Sequence, residues 1–325
     1  MRFGILLLAL LIDRVVGDPD WLWRRFPHPV AWFGGLIDYS DEHFNREEAS
    51  PRNRVLSGVI SLSVLIILVA TAGATLSWLL ALAGWFGLLF EAIIVSVFLA
   101  QKSLLDHVRA VIAGLREGGL VDGRKAVSKI VGRDPQTLDK PGICRAAIES
   151  LAENFSDGVV APMFWYLLGG LPGLLVYKLV NTADSMIGHM NDRHRDFGRA
   201  AAQLDDVLNW PAARLSAGLI GLATAILLGK KTGQSVLVTV LRDAGLHRSP
   251  NAGWPEAAMA GGLGLALGGP RSYGEAQVNA ACLNGAGRRN ADVRDVGAAI
   301  EITSTSYGLL AVIAATGFVF FLIIS

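Results

Sequence analysis

The chain has 325 residues, 52% of them hydrophobic, and a formal net charge of +1, with a mean hydropathy of +0.44. The balanced charge excludes the basic footprint of a nucleic-acid-binding protein, and the long apolar runs exclude an ordinary soluble domain. Cys144 and Cys282 lack the paired spacing of a metal site and read as small packed residues.

Phe3 to Val16 is apolar but carries Asp13 and Arg14. Its basic start is weak and no small-x-small cleavage pattern precedes Asp18, so it reads as an uncleaved anchor or short first helix. Gly17-Asp18-Pro19 and Pro27-His28-Pro29 are rigid turns, and the flanking prolines make His28 a candidate binding residue. Val55 to Ala100 holds one charge, Glu91, in 46 residues, which predicts two spans joined by a turn near Gly73. Residues 101–158 carry nine Lys and Arg, and the loops 17–54 and 230–306 are also rich in them, so all three favour the cytoplasm. The apolar stretch 159–180 is interrupted by Gly169-Gly-Leu-Pro-Gly173. That break predicts a re-entrant or broken helix, which would keep the acidic groups on either side of it at one membrane face. Ala212 to Gly229 and Tyr307 to Ile324 are further spans. The expectation is an all-α, polytopic integral membrane protein with about four to six membrane segments. Residues 1–325 form a single embedded domain in this reading, with cytoplasm-facing catalytic loops at 101–158, 181–211 and 230–306.

Polar groups mass at the borders of these apolar runs. Glu149, Glu153 and Asp157 are spaced i, i+4, i+8 and share one face of a helix. Three like charges there repel unless a cation compensates, and Mg²⁺ suits carboxylates that share it with phosphate oxygens. The alternative is a solvated helix face, but the cluster runs directly into an apolar segment, where unpaired polar groups are costly. Downstream, Asn181, Asp184, Ser185 and His189 follow Lys178, and Arg193, His194, Arg195 and Arg199 precede Asp205-Asp206. Basic residues at this density suit a phosphorylated substrate and acidic pairs suit a metal; the ordinary reading of Arg193 and Arg195 is a positive membrane flank. Ser249-Pro-Asn251 leads into Trp254-Pro-Glu256 and a run of small residues, a turn opening a helix, which favours Asn251 and Glu256 as functional. Gly264 and Gly268 read as close helix packing. There is no Walker A motif: Gly229-Lys-Lys-Thr232 has Thr224 where the leading glycine belongs.

Together these motifs resemble the adenosylcobinamide-phosphate synthases, the CobD/CbiB family of cobalamin biosynthesis. The resemblance rests on Asp13, Gly17-Asp-Pro19, His28-Pro-Val30, Val131-Gly-Arg-Asp134, Ala147-Ile-Glu-Ser150, Glu153-Asn154, Asp157-Gly158, Ala161-Pro162, Asn181-Thr182, Asp184-Ser-Met186, Gly188-His189, Phe197-Gly198, Asp205-Asp206, Pro211, Arg214, and Ser249-Pro-Asn251 through Pro255-Glu-Ala-Ala-Met-Ala260. Each motif alone is weak, whereas the ordered set is specific and spans nearly the whole chain. Ala183 departs from it, where a bulkier apolar residue is expected.

The resemblance implies a cytoplasm-facing inner-membrane ligase. It would join a propionate of the corrinoid adenosylcobyric acid to the amine of an aminoalkyl phosphate, with ATP as co-substrate. Other membrane enzymes of the cobalamin pathway are candidate partners, and nucleic acid is not. Physical chemistry then nominates roles. Glu149, Glu153, Asp157, Asp184 and His189 are catalytic candidates. His28, Arg133, Asn154, Asn181, Ser185, Arg199, Arg214, Asn251 and Glu256 are candidates for binding substrate or phosphate. Glu149, Glu153, Asp157, Asp205 and Asp206 are candidate Mg²⁺ ligands.

Two other readings compete. Asp157-Gly158-x-x-Ala161 is similar to the membrane CDP-alcohol phosphotransferases, but Pro162 stands where their arginine belongs, Asn154 replaces the leading acid, and Leu175 and Leu179 occupy later acid positions. A membrane carrier for a corrinoid or another metabolite would account for Asn181, Asp184 and the broken helix. It would not require the mixed acidic and basic loops.

Overall fold

The computed structural model describes residues 1–132, 135–269, 271–273, 276–278 and 281–324, without the side chains of Asp20 and of residues 271–280. Arg133, nominated above as a phosphate clamp, lies outside the described residues. Thirteen helices are seen among them: α1 (Arg2–Val15), α2 (Asp20–Trp23), α3 (Pro29–Phe44), α4 (Pro51–Leu82), α5 (Gly84–Val97), α6 (Gln101–Glu117), α7 (Gly119–Val127), α8 (Lys140–Phe155), α9 (Ala161–Ile187), α10 (Arg199–Leu228), α11 (Lys230–Asp243), α12 (Gly253–Leu263) and α13 (Val293–Ile324). The strands β1 (Leu267–Gly268), β2 (Arg271–Tyr273), β3 (Ala276–Val278) and β4 (Cys282–Leu283) form two antiparallel pairs, with Leu267 opposite Leu283 and Ser272 opposite Gln277. Five helical stretches are long and apolar enough to cross a membrane: Pro51–Leu82, Gly84–Glu117, Lys140–Ile187, Arg199–Leu228 and Val293–Ile324. The protein is thus a helical, multi-pass membrane protein, as its apolar runs predict.

Several helices start where local chemistry dictates. His28, Ser50 and Asp139 are the N-caps of α3, α4 and α8, and each is followed within two residues by a proline in the first turn. A side-chain acceptor takes up one orphan N–H, and proline brings no donor to leave unpaired there. The Asp139 carboxylate accepts the Gly142 N–H at 2.7 Å.

The chain folds into two compact units: Met1–Leu99, Ala161–Asn209 and Gly317–Ser325 in the first, and Ala100–Val160 and Trp210–Thr316 in the second. In the first, α1 packs on α5, and both α3 and α4 pack on α9. The expected turn near Gly73 is not there. α4 runs unbroken through Gly73, and the reversal falls at Ala83–Gly84. Gly73 serves contact instead: a Cβ on it would lie 3.0 Å from Pro172 Cα of α9.

The predicted break in the 159–180 stretch is present. Gly170 has φ 66° and ψ −154°, with Pro172 two residues on. That conformation is almost exclusive to glycine, and proline supplies no N–H for the carbonyl of Leu168 four residues before it. Carbonyls released inside an apolar helix need donors. The Arg2 guanidinium provides them, donating to Leu168 O at 2.7 Å and Leu167 O at 3.1 Å. Glu91, the lone charge of the first apolar run, is likewise satisfied: it is buried on α5 and accepts the Tyr166 hydroxyl at 2.8 Å.

In the second unit, α6 packs on α7 and α8, and α12 packs on α11 and α8. The polar stretch 101–158 is therefore largely helical. α6 buries Leu104, Leu105, Val108, Val111 and Leu115, a helical apolar stripe, while Asp106 pairs with Lys102 and Arg109 on its polar side. Gly264 and Gly268 do not form the helix-packing stripe expected of them. Gly264 ends α12 in the left-handed conformation, and Gly268 lies in β1. The close helix approach is made earlier, at Gly261, where a Cβ would lie 2.9 Å from Thr239.

Candidate functional site

Each unit carries a polar cluster. In the first, the C-terminal half of α9 and the start of α10 bring together four of the nominated residues. Asn181 donates to Asp205 Oδ1 at 3.3 Å, and Asn209 donates to Asp205 Oδ2 at 2.9 Å. Tyr177 OH donates to Asn209 Oδ1 at 2.9 Å. Asp205 is 8% exposed and Asn209 1% exposed, so Asp205 is a buried carboxylate with both oxygens engaged by amides. Asp184 and Asp206 are close enough to act on the charge of Asp205, and His189 acts on that of Asp184. Asp184 is half-buried, while Ser185, His189, Arg199 and Asp206 are exposed. The Ser185 hydroxyl donates back to Asn181 O at 2.9 Å.

The segment between these helices, 188–198, is held by residues the sequence reading did not nominate. Asp41 on α3 pairs with Arg193 at 2.7 Å and contacts His194 at 3.4 Å. Asn45 donates to Asp41 at 2.7 Å and to Arg193 O at 2.9 Å. Arg54 on α4 donates to Asn45 Oδ1 at 3.0 Å and also to the Arg193 carbonyl. Burial alone would raise the Asp41 carboxyl. The hydrogen bonds from Asn45, Arg193 and His194 outweigh it and hold Asp41 below the ordinary carboxylate value. Arg193 therefore anchors the backbone next to the cluster. Only its partners, 139 or more residues away in the sequence, reveal that role.

His28 is also committed internally. Its Nδ1 accepts the Val30 N–H at 3.2 Å, and its Nε2 lies 3.3 Å from the Val97 carbonyl, an arrangement that suits the neutral ring carrying hydrogen on Nε2. Trp23 packs against it edge-on at 4.5 Å. Burial pushes this imidazole below its ordinary value, although Asp18 and the Val97 carbonyl act in the other direction.

In the second unit, the expected face of Glu149, Glu153 and Asp157 is interrupted. α8 ends at Phe155 and residues Ser156–Val160 form a π turn, which breaks the 3.6-residue register before Asp157. Glu149 is buried and accepts the Gly268 N–H at 2.8 Å; Glu153 is exposed and Asp157 half-buried. Asn154 donates to Ser150, and the Ser150 hydroxyl donates to Ile130 O at 2.6 Å. Arg214 is sandwiched between the indoles of Trp210 and Trp254, 4.2 and 4.4 Å from their centroids. It also reaches Asn251 Oδ1 at 3.3 Å. Glu256, 1% exposed, lies 3.7 Å from His247 Nε2. The motif residues Asn251 and Glu256 thus flank the start of α12, where the Ser249 hydroxyl accepts the N–H groups of Asn251 and Ala252.

A polar cavity of about 360 Å³ also lies in this unit, lined by Ser103 and His107 of α6, Lys129, Ile130 and Gly132 of the turn after α7, and Asn154 of α8. Of these only Asn154 was nominated from the sequence. Ser103, His107 and Lys129 carry no motif signal, and the cavity exists only because α6 and α8 pack together.

No group of three or more His, Cys, Asp or Glu among the described residues is arranged to hold a metal ion by itself. Mg²⁺ does not need such a cage, because it commonly takes one or two carboxylates and completes its shell with water and substrate phosphate. Asp205 is committed to two amides, so Asp184 and Asp206 beside it are the carboxylates of that cluster that fit this donor set.

Broken membrane helices with carboxylates and amides gathered at their ends define a polytopic membrane protein built around polar sites. The particular family follows from sequence: residues 6–303 match the CobD/Cbib protein family, and the chain belongs to it. A cobalamin biosynthesis protein CobD from a Sinorhizobium species is 57% identical over 97% of this chain and 96% of its own length. The protein of the same name from Brucella suis is 52% identical over 95% of both chains, and that from Rhodobacter capsulatus is 47% identical over 88% of both. No solved structure matches.

Proposed function

We propose that this chain acts in cobalamin biosynthesis as an adenosylcobinamide-phosphate synthase of the inner membrane, with its reacting groups on the cytoplasmic side. Family membership across residues 6–303 carries this reading, and the name shared by its relatives supports the pathway. The reaction would join a propionate of adenosylcobyric acid to the amine of an aminoalkyl phosphate.

A carboxylate is a poor acyl donor at neutral pH. In the proposed route its oxygen attacks the γ-phosphorus of ATP and releases ADP, giving an acyl phosphate. The amine nitrogen then attacks the acyl carbon, inorganic phosphate leaves, and the nitrogen loses a proton. ATP, acid and amine thereby become ADP, phosphate and amide. Asp184 and Asp206 are the candidate Mg²⁺ ligands of the first unit, and Glu153 and Asp157 those of the second; the ion would supply charge neutralisation at the transferring phosphoryl group. His189, exposed and acting on Asp184, is the candidate acceptor for the amine proton. Arg214, preorganised between two indoles, is the candidate phosphate clamp.

The test is turnover by purified protein given adenosylcobyric acid, aminopropanol phosphate and Mg²⁺, with and without ATP. An ATP-dependent gain of the aminopropyl phosphate unit supports the synthase, and threonine phosphate and ethanolamine phosphate then define its amine preference. No gain with any of the three amines, in protein shown to be folded, overturns the reading and leaves corrinoid transport into vesicles as the activity to measure.

A further inference from the structure

The synthase reading leaves open where the phosphate of the amine substrate is held. We infer that the cavity between α6, the turn at 129–132 and α8 is a subsite for a phosphate monoester, with Lys129 and His107 as its recognition residues. This deepens the proposed function and rests on it only for the identity of the ester.

The Ser150 hydroxyl holds the Ile130 carbonyl at 2.6 Å, and Asn154 donates to both the Ser150 carbonyl, at 2.9 Å, and its hydroxyl, at 3.1 Å. The turn at 130–132 is therefore tied to α8, and the Asn154 amide is oriented by the same contacts. His107 Nδ1 lies 2.7 Å from the Ser103 carbonyl, so it carries the hydrogen in that contact and Nε2 is left for a ligand. Lys129 contributes a full positive charge on a flexible stem.

The charge balance of the lining points to an anion. None of its described residues is acidic. The neighbouring carboxylate on α6, Asp106, is neutralised by Lys102 at 2.8 Å and Arg109 at 2.9 Å. A cavity of about 360 Å³ lies within the range that takes a small ligand, whereas a corrinoid is far larger. The Lys129 cation and the Ser103 hydroxyl are donors for a phosphate group, and the His107 Nε2 is an acceptor for the hydroxyl of its monoprotonated form. Two sources carry that chemistry: the aminoalkyl phosphate and the terminal phosphates of ATP.

The experiment is calorimetric titration of the full-length protein, in detergent, with aminopropanol phosphate, inorganic phosphate and ATP in turn. It compares the wild type with Lys129→Ala, His107→Gln and the control Lys125→Ala, an exposed lysine on α7 that is not among the lining residues. Melting temperatures confirm that each variant is folded. Loss of a charge-assisted contact should weaken phosphate-ester binding roughly tenfold or more in Lys129→Ala, with a smaller loss in His107→Gln and none in Lys125→Ala. Weakening confined to aminopropanol phosphate assigns the subsite to the amine substrate, and weakening confined to ATP assigns it to the nucleotide. Unchanged affinities for all three probes, no binding by the wild type, or an equal loss in Lys125→Ala overturns the subsite. Binding requires no turnover, so the two readings fail separately. A wild type that binds through Lys129 but forms no amide sinks the synthase, whereas turnover with unaltered KM values in Lys129→Ala sinks the subsite.

Discussion

The two polar clusters solve the same physical problem in different ways. In the first unit, buried polar side chains satisfy one another: Asp205 is bracketed by Asn181 and Asn209, Glu91 is paired with Tyr166, and Asp41 is enclosed by Asn45, Arg193 and His194. In the second, backbone groups do much of this work. Glu149 takes the Gly268 N–H, Asp243 takes the Asn284 N–H at 2.7 Å, and Ser150 holds the Ile130 carbonyl. A side-chain network fails when one member changes, because its partner is left buried and unsatisfied. Carboxylates fix the backbone at Gly268 and Asn284, and the Ser150 hydroxyl fixes the turn that lines the cavity. The comparison separates groups that hold the fold from groups that remain for chemistry.

The largest expected effect tests that separation directly. Glu153→Gln and Asp184→Asn should each abolish synthesis, a loss on the order of a hundredfold or more for a group that stabilises transferring charge. Their melting temperatures should stay near the wild-type value, because Glu153 is exposed and Asp184 half-buried. Retained turnover in either variant removes that residue from the proposed chemistry.

Asp205→Asn should behave in the opposite way. An amide cannot accept from both Asn181 and Asn209, so one N–H group faces another, at a cost of about 1–3 kcal/mol. Urea or thermal denaturation in detergent would measure it. Activity lost with no change in stability would instead make Asp205 a ligand, as the sequence reading nominated. Tyr166→Phe sharpens the same point without touching the proposed site: Glu91 loses its hydroxyl donor, stability falls by about 1–3 kcal/mol, and the kcat of the folded fraction is unchanged.

A smaller effect is expected from Arg2→Ala, which removes the donors to Leu167 and Leu168 at the broken helix. These contacts are exposed, so roughly 1 kcal/mol is expected, together with faster amide hydrogen exchange around Gly170.

The smallest effects are in the pH dependence of stability. The folded-state value of His28 lies below the ordinary 6.5, so its contribution is complete above that value. It declines as pH falls toward the folded-state value, because the unfolded chain takes up the proton first. His28→Asn, which keeps a capping acceptor, should remove this step from a melting-temperature profile. Asp41 is depressed below 3.8, so its contribution persists above that pH and is lost as pH falls through the folded-state value. Asp41→Asn should flatten that acidic step.

Much of the architecture was legible in local chemistry. Long apolar runs required helices, because a chain in lipid must satisfy its own backbone. Gly169-Gly-Leu-Pro-Gly173 announced a break, since no residue but glycine readily adopts the Gly170 conformation and proline withholds a donor. The turn assigned near Gly73 failed because composition does not reveal whether a small residue reverses the chain or admits a neighbouring helix. Gly264 and Gly268 failed for the related reason that their spacing reads the same whether or not the helix continues through it.

The site was legible by residue type and less so by role. Asn181, Asp184, Asp205 and Asp206 stood out because polar groups beside apolar helices must be paired or functional. That Asp205 is held by Asn209, or that Arg193 serves Asp41 rather than a phosphate, depends on partners distant in sequence. Ser103, His107 and Lys129, which line a cavity with the motif residues Gly132 and Asn154, carried no motif signal of their own. The sequence by itself determined helix, span, break and family, because these follow from hydropathy, backbone freedom and ordered local motifs. Only the tertiary structure decided which charges are spent on one another and which line an open cavity, because pairing depends on distances that helix packing creates.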